Sequence, residues 1–182
     1  GIMNTHEDGA IYEFEEKPQQ PKSNKASMGV YIFTWEKLNL YLRQDAADRK
    51  SSNDFGKNII PTMLADGQRM FAYSFDGYWK DVGTIESLWE ANMDLLKMPM
   101  PINLYDKSWR IYGRNPGMAP HFIAGGASAK ESLITEGCEV YGRVEHSVIF
   151  SGVTIQEGAS VTDSVVMPGV VVERGAQVRR AI

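Results

Sequence analysis

Three short clusters carry side chains suited to holding an anionic, hydroxyl-rich ligand. In Glu15-Glu16-Lys17-Pro18 the proline biases the residue before it toward extended backbone. A lysine at a strand end can hold a sugar phosphate as a mobile positive charge, and Glu16 can accept hydrogen bonds from sugar hydroxyls. The same stretch also reads as a surface ion-pair cluster of Glu13, Glu15, Glu16 and Lys17. Ser27, in Ala26-Ser27-Met28-Gly29, offers a hydroxyl just ahead of an apolar run, and Gly29 permits close approach of backbone or ligand. A local backbone cap is the plainer reading of Ser27. Asp81 stands between Tyr78-Trp79 and Gly83, immediately before a helix start. A carboxylate there can coordinate Mg²⁺ bridging phosphates, which lowers like-charge repulsion during phosphoryl or nucleotidyl transfer. It can equally cap the helix that begins near Thr84. Lys80 can pair with phosphate or face water. The set supplies an anion clamp and a metal carboxylate but no phosphate-cradling glycine loop, since Gly125-Gly126 is too short for one.

Other reactive residue types point to ordinary roles. His6, His121 and His146 have no ligand-like spacing with one another or with a cysteine. The lone Cys138 excludes an intrachain disulfide and a cysteine-built zinc site, suits a reducing cytoplasm, and reads as a small buried hydrophobe. Arg174, Arg179 and Arg180 form either an anion-binding patch, a subunit contact or a solvated face. With 19 basic and 23 acidic residues, formal charge −4, there is no sustained basic stripe of the kind nucleic acid requires. No apolar run approaches the ~18 residues of a membrane span, and Gly1 opens on neither a charged nor an apolar stretch, so neither a span nor a signal peptide is expected. A hydrophobic content of 43% over 182 residues supports one large core or two small ones.

The elements that must position these groups fall into two styles. Ile2 to Thr5 and Ile11 to Glu15 flank Asp8-Gly9, a hairpin signal. Met28 to Thr34 suits a buried strand, and Trp35 to Tyr41 a helix with Leu38 and Leu42 on one side. Asn53 or Asp54 can cap a helix reaching Ala65, with Pro61 predicting a kink or early stop. Gln68 to Phe75 reads as a strand with alternating faces. Thr84 starts a helix whose apolar side is Leu88, Trp89, Ala91, Leu95 and Leu96. Residues 97–126 then read as a connector anchored by Trp109, Ile111, Tyr112 and Phe122.

Residues 127–182 repeat. Aligning Ser147–Asp163 with Ser164–Arg180 pairs Ser147 with Ser164, Val148 with Val165, Gly152 with Gly169, Val153 with Val170, Gly158 with Gly175 and Val161 with Val178. Ile149/Val166 and Ile155/Val172 keep apolar character, and Leu133, Ile134, Gly137, Cys138 and Val140 belong to a weaker earlier copy. Short strands between glycine turns fit stacked coils of a β-helix better than a β-sandwich. The open end of such a stack, near Val178 and Ile182, is expected to meet a cap or another subunit.

Together these motifs resemble the bacterial glucose-1-phosphate adenylyltransferases (ADP-glucose pyrophosphorylases). The resemblance runs from Gly1-Ile2-Met3-Asn4-Thr5 through Glu16-Lys17-Pro18, Ala26 to Tyr31 and Asn53 to Pro61. It is strongest over Gly77 to Asn92. It implies α/β plus β architecture: a Rossmann-like nucleotidyltransferase domain, here residues 1–96 and partial, then a left-handed parallel β-helix. It also implies a cytoplasmic, allosterically regulated homotetramer of glycogen synthesis, which makes ADP-glucose and diphosphate from ATP and α-D-glucose 1-phosphate with Mg²⁺. By motif position, Gly1, Glu16, Lys17 and Ser27 look like sugar-phosphate contacts, and Asp81 like one of two metal-binding aspartates.

The resemblance departs at the amino terminus. The family's glycine-rich nucleotide loop, adenine pocket and other metal aspartate have no counterpart here, so the chain is expected to be the C-terminal piece of such an enzyme, inactive alone. Its strands are then expected to leave exposed edges that promote assembly. Other readings are a regulatory or structural subunit of the same family, a nucleotidyltransferase with another base or sugar, and a β-helix acyltransferase. The histidine arrangement disfavours the last.

Overall fold

The computed structural model describes residues 1–114 and 116–182, and within it the chain forms two compact units, residues 1–77 and 78–182. The expected connector includes Asn115, which lies outside the described residues.

In the first unit, β1 (Ile2–Thr5) and β2 (Ile11–Glu15) pair antiparallel, with Ile2 opposite Glu15 and Met3 opposite Phe14. Gly9, at φ +85°, makes the turn, and the Ala10 N–H donates to Asp8 Oδ1 at 2.9 Å. Helix α1 (Trp35–Ala47) buries Tyr41 against Ile59 and Met63, with Phe33, Leu38, Leu42, Phe55 and Met70 packed around them. Asp54 caps the next helical segment, accepting the Lys57 N–H at 2.9 Å. The segment opens as a π-helical turn (Phe55–Ile59) and tightens into α2 (Ile60–Ala65). Pro61 lies in the first turn of α2, where its missing N–H costs little, so it marks the change of helix type rather than a stop.

Two expected strands are not realised. Among the described residues, the backbone groups of residues 30–33 make no hydrogen bond, and Val30 and Ile32 are 79% and 100% exposed. Tyr31 and Phe33 point the other way and stack near Phe55. Residues 68–75 make only a bridge between Phe71 and Ala10, leaving Tyr73 and Phe75 exposed. The alternation is right, but a strand also needs a neighbour for its N–H and C=O groups.

The second unit begins with α3 (Ile85–Asp94), capped reciprocally by Thr84 and Ser87. A parallel β-solenoid follows, agreeing with the left-handed β-helix expected. Its three sheets are β4 (Ser128–Lys130), β7 (Arg143–Glu145), β10 (Ser160–Thr162) and β13 (Gln177–Arg179); β5 (Leu133–Ile134), β8 (Val148–Ile149) and β11 (Val165–Val166); and β3 (Phe122–Ile123), β6 (Glu139–Val140), β9 (Thr154–Ile155) and β12 (Val171–Val172). Val148 pairs with Val165, Ile155 with Val172 and Val161 with Val178, so the aligned sequence repeat is one coil of the solenoid. Cys138, Val140, Val144, Ile149, Val153, Ile155 and Val161 fill its interior with at most 1% exposure.

One corner of the solenoid is built from non-glycine residues in left-handed backbone. Glu131, His146, Asp163 and Arg180 recur there coil by coil, with φ from 44° to 49°. A hydroxyl ladder runs beside them. Ser132 Oγ accepts the Ser147 N–H, Ser147 Oγ accepts the Ser164 N–H, and Ser164 Oγ accepts the Ala181 N–H, at 3.1, 3.1 and 3.2 Å. Where the chain bends between sheets, a side-chain oxygen thus replaces the carbonyl a straight ladder would supply. Helix α3 docks at this corner. The Trp89 indole N–H donates to the Asp163 carbonyl at 2.8 Å, and Met93 packs with Val148 and Val165.

The expected connector anchors differ from the structure. Trp109, Ile111 and Tyr112 are 83%, 72% and 88% exposed, and Phe122 is 53% exposed while joining the solenoid as part of β3. With no apolar period, residues 98–114 offer no face to bury. Among the described residues, no helix is long and apolar enough to cross a membrane.

Candidate functional site

Hairpin register brings three of the candidate residues together. Strand β1 carries Gly1 beside the end of β2, so Glu16 Oε2 lies 3.1 Å from the Gly1 nitrogen. On the other side, Ile2 bridges Ala26, and the Ser27 N–H donates to the Gly1 carbonyl at 2.8 Å. Ser27 Oγ accepts the Gly29 N–H at 3.2 Å and lies 3.0 Å from the Tyr31 hydroxyl. Ser27 is therefore a local cap and a neighbour of Gly1 at once.

Lys17 continues from Glu16 in left-handed backbone, φ 49°. Its side chain is exposed and has no hydrogen-bond or ion-pair partner among the described residues. The ion-pair cluster forms with a different lysine: Lys22 Nζ lies 2.7 Å from Glu13 and 4.0 Å from Glu15. Lys22 holds the Glu13 carboxyl below the usual carboxylate range, helped by the Asn4 amide. Both strand acids thus pair with Lys22, and the Lys17 ammonium has no partner among the described residues.

Two residues here lay inside the segments of resemblance but were given no role of their own. Gly56 is buried in the π-helical turn, where an added Cβ would come within 2.6 Å of Glu16 Oε2. A glycine two residues after a capping aspartate was the available signal. The Tyr31 hydroxyl reaches back to Ser27, four residues earlier.

Asp81 belongs to the second unit and is exposed. It does not cap α3; Thr84 does, accepting the Ser87 N–H at 3.1 Å. Asp81 Oδ1 accepts the Gly83 N–H at 3.0 Å, while Oδ2 has no partner among the described residues. Lys80 is not poised for phosphate: its Nζ lies 2.8 Å from Glu90 and 3.4 Å from Asp94. Glu90 is the main reason its pKa is raised. Asp94, which nothing in the local sequence singled out beyond Lys97 three residues on, is the most engaged acid in this region. It accepts from Lys97 at 2.6 Å, Tyr78 at 2.9 Å and Lys80. Lys97 first, then Tyr78, draw its pKa down to about 2 against the opposing effect of burial.

The other flagged residues hold structural positions. Cys138 is 1% exposed in the solenoid core. His146 Nδ1 lies 2.8 Å from Asp163 Oδ1. Arg174 pairs with Glu157 at 2.9 Å, and the Arg180 guanidinium sits 5.4 Å from the Trp89 ring centre.

Comparison with known proteins adds relatives to this geometry. Residues 1–98 match the family model described as nucleotidyl transferase, and residues 123–182 match the GlmU-like C-terminal hexapeptide model. The chain is 60% identical over 163 residues to a glucose-1-phosphate adenylyltransferase of Clostridium perfringens (strain 13 / Type A), covering 90% of this chain and 42% of that protein. It is 57% identical over 182 residues to the protein of the same name from Bacillus cereus (strain ATCC 14579), covering 100% of this chain and 48% of the other. The Bacillus mycoides protein of that name is 56% identical over the same span. The chain spans about half the length of the curated relatives it matches.

Proposed function

This chain belongs to the nucleotidyl transferase family, and on that premise we propose that it forms the sugar-phosphate side of a glucose-1-phosphate adenylyltransferase. A protein of the relatives' length carrying this sequence would join ATP and α-D-glucose 1-phosphate to give ADP-glucose and diphosphate. The observation that carries the reading is that Ser27 and Glu16 both lie against Gly1, next to a lysine with no carboxylate partner among the described residues.

Each side chain then has a physical task. Lys17 neutralises and orients the sugar phosphate, and its left-handed backbone turns it out of the β2 direction. Glu16 accepts hydrogen bonds from glucose hydroxyls, and Gly56 leaves room for its carboxylate. Gly1 offers backbone groups, while Ser27 closes the sugar pocket and is held by Tyr31. Asp81 fits a divalent cation as one carboxylate ligand, because Oδ2 is open while Oδ1 is fixed by Gly83. Mg²⁺ takes one or two carboxylates together with phosphate oxygens and water, and when bound it would offset charge on the phosphates. The transfer is an in-line attack of the sugar phosphate on the α-phosphorus of ATP. Its rate comes from alignment and charge stabilisation, so no covalent protein nucleophile is needed.

In a protein of the relatives' length, K17A should raise KM for glucose 1-phosphate about 10- to 150-fold and leave that for ATP nearly unchanged. That range corresponds to losing one charged hydrogen-bonded contact. D81N should lower Mg²⁺-dependent turnover at every Mg²⁺ concentration. An unchanged glucose 1-phosphate requirement in K17A would overturn the reading and favour a regulatory or structural subunit.

A further inference from the structure

The segment leading to Asp81 is fastened to α3 at both ends, and the fastening decides which way Asp81 points. At the far end, the Tyr78 hydroxyl donates to Asp94 Oδ2 at 2.9 Å, and Lys80 Nζ reaches the same oxygen at 3.4 Å and Glu90 at 2.8 Å. At the near end, Thr84 is locked into the reciprocal cap of α3. Over residues 78–81 exposure alternates: Tyr78 and Lys80 are half-buried, whereas Trp79 and Asp81 are exposed. Tyr78 and Lys80 face the helix while Trp79 and Asp81 face away from it, so tying the first pair to α3 fixes the side from which Asp81 projects.

Asp94 is an unusual tether. A carboxylate in the last turn of a helix faces the negative end of the helix dipole, which disfavours it there. Its side chain is nonetheless only 11% exposed and is held by three donors. Two of the three come from the Asp81 segment rather than from the helix. Glu90, by contrast, is 47% exposed with Lys80 as its one partner among the described residues.

We propose that Asp94 is a positioning residue: by holding Tyr78 and Lys80 against α3 it presents the Asp81 carboxylate on the open side of the segment. The proposal rests on the reading of Asp81 as the metal-holding carboxylate.

Two measurements test it. In the 182-residue chain without metal, hydrogen exchange reports the Gly83 N–H that Asp81 Oδ1 accepts. D94A should speed exchange of that amide at least about tenfold, Y78F should do so to a lesser degree, and solenoid amides should keep their protection. Unchanged Gly83 protection in a folded D94A protein overturns the proposal. In a protein of the relatives' length, D94A should lower kcat about 10- to 100-fold with KM for glucose 1-phosphate unchanged. D94N, which keeps an acceptor for Tyr78, should recover part of that loss. In a D81N background, D94A should add little, because both act through one carboxylate. Losses that multiply across the two sites would make Asp94 a fold-holding residue and overturn the proposal. If D81N alone leaves turnover intact, the metal-carboxylate reading fails instead, and the exchange experiment still decides whether Asp94 orders the segment.

Discussion

Replacing Ser147 with alanine isolates one rung of the solenoid's hydroxyl ladder. Ser147 and Ser164 are both 0% exposed. Ser147 Oγ accepts the Ser164 N–H at 3.1 Å and donates to the Glu145 carbonyl at 2.8 Å. Removing it leaves the Glu145 carbonyl satisfied, because the Asp163 N–H still donates to it at 3.2 Å. The Ser164 N–H, however, loses its acceptor where water has no access. An orphaned buried donor costs about 1–3 kcal/mol, and removing one oxygen atom leaves too small a space to add much to that. Ala181 is more accessible, so water can replace the bond its N–H loses in Ser164→Ala at about 0–1 kcal/mol. Ser132→Ala instead strands the N–H of Ser147, itself 0% exposed, and belongs with S147A. Because the chain forms two compact units, global unfolding need not be a single transition, and hydrogen exchange at the Ser164 amide is the sharper assay. S147A should speed that exchange by about 5- to 150-fold. An effect of S164A on the Ala181 amide as large as that of S147A on the Ser164 amide, or none in S147A, would refute the ladder argument.

Two further outcomes follow from the structure. A Cβ added at Gly142 would overlap the Ala159 carbonyl and lie 2.7 Å from that of Gln156, both backbone atoms of the next coil. G142A should therefore destabilise the solenoid by about 1–3 kcal/mol, seen as a lower urea midpoint with unchanged slope. Asp94 has its pKa lowered from 3.8 to about 2, so the stability it contributes is present above pH 3.8 and is lost as pH falls through about 2. After allowance for the exposed Lys97, that is on the order of 1–2 kcal/mol. Acid titration of α3 protection should be steeper over this window in the wild-type chain than in D94N, and identical slopes would contradict the assignment.

What the sequence determined by itself is what local periodicity can encode. The Asp8-Gly9 turn, the helix start at Thr84 and the coil-by-coil pairing of Val148 with Val165 and Val161 with Val178 were legible, because each depends on residues at fixed short spacing. Cys138 was legible for the same reason, lying on the inward face of its coil. The candidate site was legible as residue types but not as partners. Tertiary structure alone decided that Lys22, rather than Lys17, pairs with Glu13. It also decided that residues 30–33 find no backbone partner among the described residues, and that Asp94 gathers Tyr78 and Lys80. A spacing states which way a side chain points relative to its own backbone. Which ammonium reaches a carboxylate, and which edge finds a strand, depends on segments brought together from distant parts of the chain, where no local pattern records the meeting.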